Sequence, residues 1–265
     1  MTLLQVIVLA LIQGLTEFLP VSSSAHLILG GLAFGWPDEG LVFDAATHLG
    51  TLIAVLIYFR RDLRRMVMAC LRSPTKPEDV QQRRMVGLLV LASLPVLMIG
   101  FLESDFISTH LRDARVIAWA TIIFGLVLWW ADARGPKDLA VDKMTTRHAL
   151  LIGLAQVLSL IPGTSRSGIT ITAGRLLGLN AFEAARFSFL LSIPVIAAAG
   201  AFGALRVWTG ATAVIWSEFW LGAALAAIAG WICIAAFLAL VKRIGLVPFV
   251  IYRLVLGVFL LWLTW

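Results

Sequence analysis

Two polar stretches could do chemistry in a chain that is otherwise nearly all hydrocarbon. The first is Gln13-Gly14-Leu15-Thr16-Glu17-Phe18-Leu19-Pro20-Val21-Ser22-Ser23-Ser24-Ala25-His26, and the second is Pro162-Gly163-Thr164-Ser165-Arg166-Ser167-Gly168. Gln13 and Glu17 are four residues apart and share a face on a helix, where Glu17 can act as general base or take an oxygen-preferring divalent cation. His26 follows Ser22 by four residues and Ser23 by three, so on a helix starting near Ser22 it reaches either hydroxyl. A hydroxyl, a base and an acid within reach are the parts of nucleophilic or water-activating chemistry. The competing account is that Ser22 to Ser24 merely cap a helix and His26 is an interior residue.

The second stretch carries the opposite sign. A glycine-containing turn ahead of a helix start aims free N–H groups at one point, and Arg166 adds a planar fork matched to phosphate. An arginine in hydrocarbon is costly and marks a functional site by default, although pairing with Glu17 or Glu183 would make it structural. An acidic tip at Glu17 facing a basic tip at Arg166 suits a divalent cation bridging a diphosphate, with the guanidinium on the remaining oxygens.

Hydrocarbon surroundings must position these residues. Hydrophobic residues make up 60% of the chain and charged ones 14%, with a mean hydropathy of +0.96, against roughly 25% charged in a soluble domain. The class is an all-α polytopic membrane protein forming a single integral membrane domain over residues 1–265, with no stretch polar enough for a separate soluble domain. Soluble nucleotides would need an aqueous binding domain and nucleic acid is not an expected partner, so the ligand is read as a lipid with a phosphorylated head. Cys70 and Cys233 lie far apart in unlike surroundings and give no disulfide framework or metal knuckle. Met1 to Leu19 lacks a basic leader region and runs directly into the polar stretch, so it is read as mature protein.

Apolar runs long enough to span fall near 42–59, 84–102, 115–131, 184–205, 215–241 and 247–264. Residues 3–35 and 147–180 are instead broken midway by Pro20-Val21-Ser22-Ser23-Ser24 and Pro162-Gly163-Thr164-Ser165, leaving half-length helices that suit re-entrant hairpins. The breaks resemble each other. Gln13 and Gln156 lie upstream of the two prolines, and Phe43-Asp44-Ala45-Ala46 recurs as Phe182-Glu183-Ala184-Ala185. The expectation is an inverted-topology repeat, each unit one re-entrant helical hairpin plus three transmembrane helices, covering about 1–132 and about 145–265.

Charge agrees with that inversion. The loop holding Arg60, Arg61, Arg64, Arg65, Arg72, Lys76, Arg83 and Arg84 is placed inside, together with Arg134, Lys137, Lys143, Arg147 and the Lys242-Arg243 pair. The Trp36 to Asp44 loop, lacking Lys and Arg, falls outside. The two hairpins then open to opposite faces with their tips meeting, the arrangement of inverted-repeat transporters. Asp44 and Glu183 read as helix-N-terminal acids, His48 as a partner for Asp44 one turn on, and Arg253 as either snorkelling to the inner surface or reaching the phosphate cavity. Trp129-Trp130 and Trp262 to Trp265 mark interfacial belts.

The glutamine-three-residues-glutamate pattern running into Phe18-Leu19-Pro20-Val21-Ser22-Ser23 with His26, together with Pro162 to Gly168, resembles the undecaprenyl-diphosphatase family, also called bacitracin-resistance proteins. Phe187 to Pro194 and Ile251-Tyr252-Arg253 extend the resemblance over essentially the whole chain. It implies a multi-pass enzyme of the bacterial plasma (inner) membrane that hydrolyses undecaprenyl diphosphate to undecaprenyl phosphate, recycling the lipid carrier for peptidoglycan synthesis and giving bacitracin resistance. It further implies a divalent cation (Mg or Ca) near Glu17 and Gln13. Ser23 is then the nucleophile or a substrate-orienting hydroxyl, His26 the catalytic base or acid, and Arg166 the diphosphate ligand. Ser22, Thr164, Ser165 and Ser167 are secondary diphosphate contacts. Gln13 stands where the family often has Glu, which leaves Glu17 to carry any acid–base or metal role there. Attack by Ser23 and attack by a water activated by His26 and Glu17 are both open, as is a homodimer. The alternative function is a transporter or flippase of polyprenyl phosphate using the same cavity.

Overall fold

A computed structural model describes residues 1–36, 40–72, 76–103, 111, 113–136, 138–209 and 214–264, with backbone alone at 206–209. Lys137, Trp265 and part of the Trp36 to Asp44 loop lie outside the described residues. The chain is all-helical: α1 (Leu3–Thr16), α2 (Ser23–Phe34), α3 (Gly40–Tyr58), α4 (Arg60–Leu71), α5 (Pro77–Leu102), α6 (Ala114–Arg134), α7 (Thr146–Val157), α8 (Arg166–Leu176), α9 (Ala181–Thr209), α10 (Trp216–Ile244) and α11 (Val247–Leu263). Among the described residues, α3, α5, α6, α9 and α10 are long and apolar enough to cross a bilayer, so the protein is a multi-pass membrane protein. The helix expected as a sixth span, α11, is 17 residues long.

The basic segment after α3, expected as a loop, begins with the twelve-residue helix α4. Arg60, Arg61, Arg64 and Arg65 recur at helical spacing, while Met66 and Ala69 of the same helix are buried. Arg83 folds back from α5 to donate to the carbonyls of Ala69, Cys70 and Arg72, which the end of α4 leaves without helical partners. Asp62 pairs with Arg186 of α9 at 3.0 Å.

The two interrupted stretches are helix pairs, α1 with α2 and α7 with α8, of 14, 12, 12 and 11 residues. At about 1.5 Å per residue each half is shorter than a hydrocarbon core of roughly 30 Å. Their breaks meet. Gly163 N–H donates to Ser24 Oγ at 3.0 Å, and Ser167 Oγ donates to the Leu19 carbonyl at 2.8 Å. Gly163 is needed there: its φ is +95°, and a side chain would run into the Ile117 carbonyl of α6.

Breaking a helix frees carbonyls, and one residue collects them. Arg253 of α11 is fully buried. Its Nη1 donates to Thr164 O (3.0 Å) and Pro20 O (3.4 Å), Nη2 to Gly163 O (3.0 Å) and Nε to Thr121 O (3.1 Å). It therefore neither snorkels to a surface nor presents a free fork to a phosphate, because both breaks consume its donors.

The two breaks also share a backbone feature. Ser22 (φ 73°, ψ 102°) and Ser165 (φ 69°, ψ 114°) are the N-caps of α2 and α8 and share one conformation. The sequence separation that carries Ser22 onto Ser165 also carries Gln13 onto Gln156, whereas Pro20 and Pro162 are out of step by one residue.

Arg253→Met leaves carbonyls of both breaks without a donor, and should destabilise the protein by about 3 kcal/mol or more. Arg253→Lys, with a point charge in place of the fork, should recover only part of this. Thermal unfolding in detergent reads both, and an unshifted midpoint for Arg253→Met would mean that the breaks hold together without it.

Candidate active site

A serine with positive φ is uncommon and costs roughly 1–3 kcal/mol. Ser22 and Ser165 are the two such non-glycine residues among those described. Their side chains offset part of that cost by capping: Ser22 Oγ accepts Ala25 N–H at 3.4 Å and Ser165 Oγ accepts Gly168 N–H at 3.1 Å. The sharp turn starts a new helix at the next residue, which is Ser23 in one pair and Arg166 in the other.

Glu17 joins the two stretches. Its Oε1 accepts Arg166 Nη2 at 3.1 Å and its Oε2 accepts Gln13 Nε2 at 3.0 Å. Ser23 Oγ donates to the same Oε2 at 3.4 Å. The second arm of Arg166 donates to the Ser188 carbonyl of α9 at 3.1 Å. The Glu17 and Arg166 side chains are 10% and 11% exposed, so their ion pair is far less screened than a surface pair. Gln13, Glu17, Ser23 and Arg166 therefore form one cluster.

His26 stands apart from it. Nδ1 lies 2.7 Å from the Ser22 carbonyl and Nε2 lies 2.7 Å from the Tyr252 hydroxyl. The His26 and Tyr252 rings are stacked, with centroids 5.5 Å apart. A carbonyl can only accept, so Nδ1 carries the proton and Nε2 accepts from the phenol. In this arrangement His26 bonds a serine backbone, not a serine hydroxyl.

The remaining hydroxyls serve the breaks. Ser22 Oγ lies 3.0 Å from Ser24 Oγ, and Ser165 Oγ lies 3.1 Å from Ser167 Oγ. Ser165 also reaches Leu19 O at 3.4 Å. Thr164 is fully buried, with its carbonyl on Arg253 and its hydroxyl unpartnered.

Beside the cluster lies a cavity of about 450 Å³. Gln13, Ser23, Ser24, Asp44 and His48 form its polar side, and Leu9, Leu27, Ile28 and Ile117 part of its apolar side. A pocket with a few converging polar groups on an apolar wall fits an amphiphile. Sequence reasoning missed Ser24 and Tyr252 as site residues and left His48 aside as an Asp44 partner. His48 does bond Asp44, through the backbone carbonyl at 2.8 Å, but its other nitrogen lies 3.5 Å from Gln13 Nε2. The four-residue spacing from Asp44 was a signal for the first contact, and nothing local signals the second.

Among the described residues no group of three or more His, Cys, Asp and Glu could hold a metal ion. The chemistry of the Glu17 and Gln13 pair nevertheless fits a hard cation. Gln13 Oε1 is a buried oxygen without a hydrogen-bond partner, next to a carboxylate.

Residues 6–259 match the family model described as bacitracin resistance protein BacA. The chain is 52% identical over 262 residues to a protein of Chromohalobacter salexigens named undecaprenyl-diphosphatase, covering 97% of each chain. It is 51% identical to the undecaprenyl-diphosphatase of Teredinibacter turnerae, covering 98% of each, and 48% identical to that of Alteromonas mediterranea, covering 99% of this chain and 98% of that protein.

Glu17→Ala removes the carboxylate that neutralises Arg166 and should destabilise the protein by about 3 kcal/mol. Glu17→Gln keeps an acceptor for Arg166 and should cost less. The two thermal midpoints in detergent should fall in that order, and equal midpoints would show that the pair contributes nothing to holding the two stretches together.

Proposed function

The chain belongs to the bacitracin resistance protein BacA family, and from that premise we propose that it hydrolyses undecaprenyl diphosphate to undecaprenyl phosphate and inorganic phosphate. That activity recycles the lipid carrier for peptidoglycan synthesis and confers bacitracin resistance. The observation that carries the reading is the cluster in which Arg166 pairs with Glu17 while Ser23 donates to the same carboxylate. The relatives' names favour hydrolysis over the transport alternative.

Phosphoryl transfer needs charge neutralisation and positioning more than covalent help from the protein. The N-termini of α2 and α8 begin at Ser23 and Arg166, which share Glu17 as a partner, so two positive helix ends serve one place. A diphosphate brings more negative charge than a carboxylate and takes the Arg166 fork from Glu17. Glu17 is then free to accept the Ser23 proton. Ser23 Oγ attacks the terminal phosphorus, the bridging P–O bond breaks, and undecaprenyl phosphate leaves. Water then cleaves the phosphoserine, and its oxygen departs in inorganic phosphate. Glu17 is preferred over His26 as the first proton acceptor because both His26 nitrogens are engaged, by Ser22 O and by Tyr252. His26 acts only after turning off Tyr252. Ser22, Thr164, Ser165 and Ser167 hold the breaks in place around the diphosphate. A Mg or Ca ion held by Glu17 and Gln13 Oε1 would neutralise charge on the diphosphate.

The same reading gives the architecture. Matching Ser22 and Ser165 conformations, the common separation of the Gln13/Gln156 and Ser22/Ser165 pairs, and a short helix pair ahead of long helices in each half support two units of about 1–132 and about 145–265, inverted in one membrane domain. The family supports a location in the bacterial inner membrane, and the basic loops support an orientation with those loops in the cytoplasm.

Inorganic phosphate release from undecaprenyl diphosphate by the detergent-purified protein tests the reading. Release should fall with a chelator, and should drop by about a hundredfold or more in Ser23→Ala and in Arg166→Ala. Near-normal release by Ser23→Ala would exclude the serine as nucleophile. A folded wild type that releases no phosphate would overturn the phosphatase reading.

A further inference from the structure

His48 is a polar cavity residue that this mechanism does not use. It lies on α3, and its Nδ1 is 2.8 Å from the Asp44 carbonyl. A carbonyl only accepts, so Nδ1 carries the proton and Nε2 presents a lone pair. Facing that lone pair at 3.5 Å is Nε2 of Gln13, whose other amide hydrogen goes to Glu17 Oε2 at 3.0 Å. Both hydrogens of the Gln13 amide then have acceptors.

The opposite amide orientation fails at two points. It would set Gln13 Oε1 against the Glu17 carboxylate, acceptor against acceptor, and would leave His48 Nε2 without a donor. The orientation present leaves Oε1 as the buried oxygen with no partner. That state is costly for an amide, and it persists because the two bonds on the nitrogen side hold it. Gln13 is 1% exposed, and its amide is held on the nitrogen side by both acceptors.

We propose that His48 is a positioning residue for the phosphatase reaction: by accepting from Gln13 it locks the amide so that the nitrogen holds Glu17 beside Ser23 and the oxygen stays free. The histidine thus does for a neutral glutamine what a fixed charge at position 13 would otherwise do for the motif. This rests on the diphosphatase reading of the cluster.

Removing the acceptor should therefore lower kcat more than it changes KM, because the bond from Gln13 acts through Glu17. His48→Phe keeps the ring volume and should lose about tenfold in kcat. His48→Gln offers an amide oxygen in place of Nε2 and should keep kcat within about threefold of wild type. The two residues should also couple: in a Gln13→Met background, already slowed, His48→Phe should add less than a twofold further loss. Equal kcat for His48→Phe and wild type, or independent losses in the double variant, would overturn the proposal. If His48→Phe does not purify as a folded monodisperse protein, His48→Met completes the same cycle. Absence of phosphate release from the wild type would instead count against the diphosphatase reading, which separates the two failures.

Discussion

A helix interrupted inside hydrocarbon leaves carbonyls that neither water nor lipid can satisfy, and the guanidinium of Arg253 is the answer this chain uses. Its planar donors span carbonyls from both interruptions and one from α6. Holding the breaks to each other brings Ser23, Glu17 and Arg166 within hydrogen-bond distance, although Glu17 and Arg166 are 149 residues apart in sequence. Arg253, read from the sequence as either snorkelling or reaching the phosphate cavity, is therefore architectural. The arginine paired with the Glu17 carboxylate is the one at the start of α8.

Charge in the cluster is arranged to exchange partners. Arg166 without substrate is neutralised by Glu17, which avoids a bare cation in a site about nine-tenths buried. The same pairing keeps Glu17 engaged. In the proposed reaction a diphosphate takes over the guanidinium, so that binding and release of the carboxylate are one event. An aqueous site would gain less from this, because water would screen both the resting pair and the exchange.

Polar residues along α2 divide by face. Ser23 and Ser24 line the cavity, with Ser24 also accepting from Gly163, while His26 turns toward Tyr252 of α11. Along α1 and α3, Gln13 and His48 face each other across the cavity wall. The two histidines are held in the same manner, Nδ1 on a carbonyl four residues back and Nε2 facing a distant donor. They differ in what they touch. One is tied to an exposed phenol and the other to the amide that donates to Glu17.

Much was legible in the sequence, because hydrocarbon makes every polar residue expensive and therefore conspicuous. The all-helical membrane class, the two interruptions, Glu17 and Arg166 as opposed charges, and Ser23 in the acidic stretch follow from composition and spacing. The helix α4 was hidden because four arginines in six residues read as a charged loop until their spacing is set against buried Met66 and Ala69. The shared positive φ of Ser22 and Ser165 was also hidden, because the prolines are conspicuous and a serine's spacing carries no sign of its backbone conformation. Which arginine binds carbonyls and which binds a carboxylate, which way His26 turns, and that His48 meets Gln13 were decided by tertiary structure alone. Each depends on which helix packs beside which, and a sequence records the spacing within a helix but not the neighbour across from it.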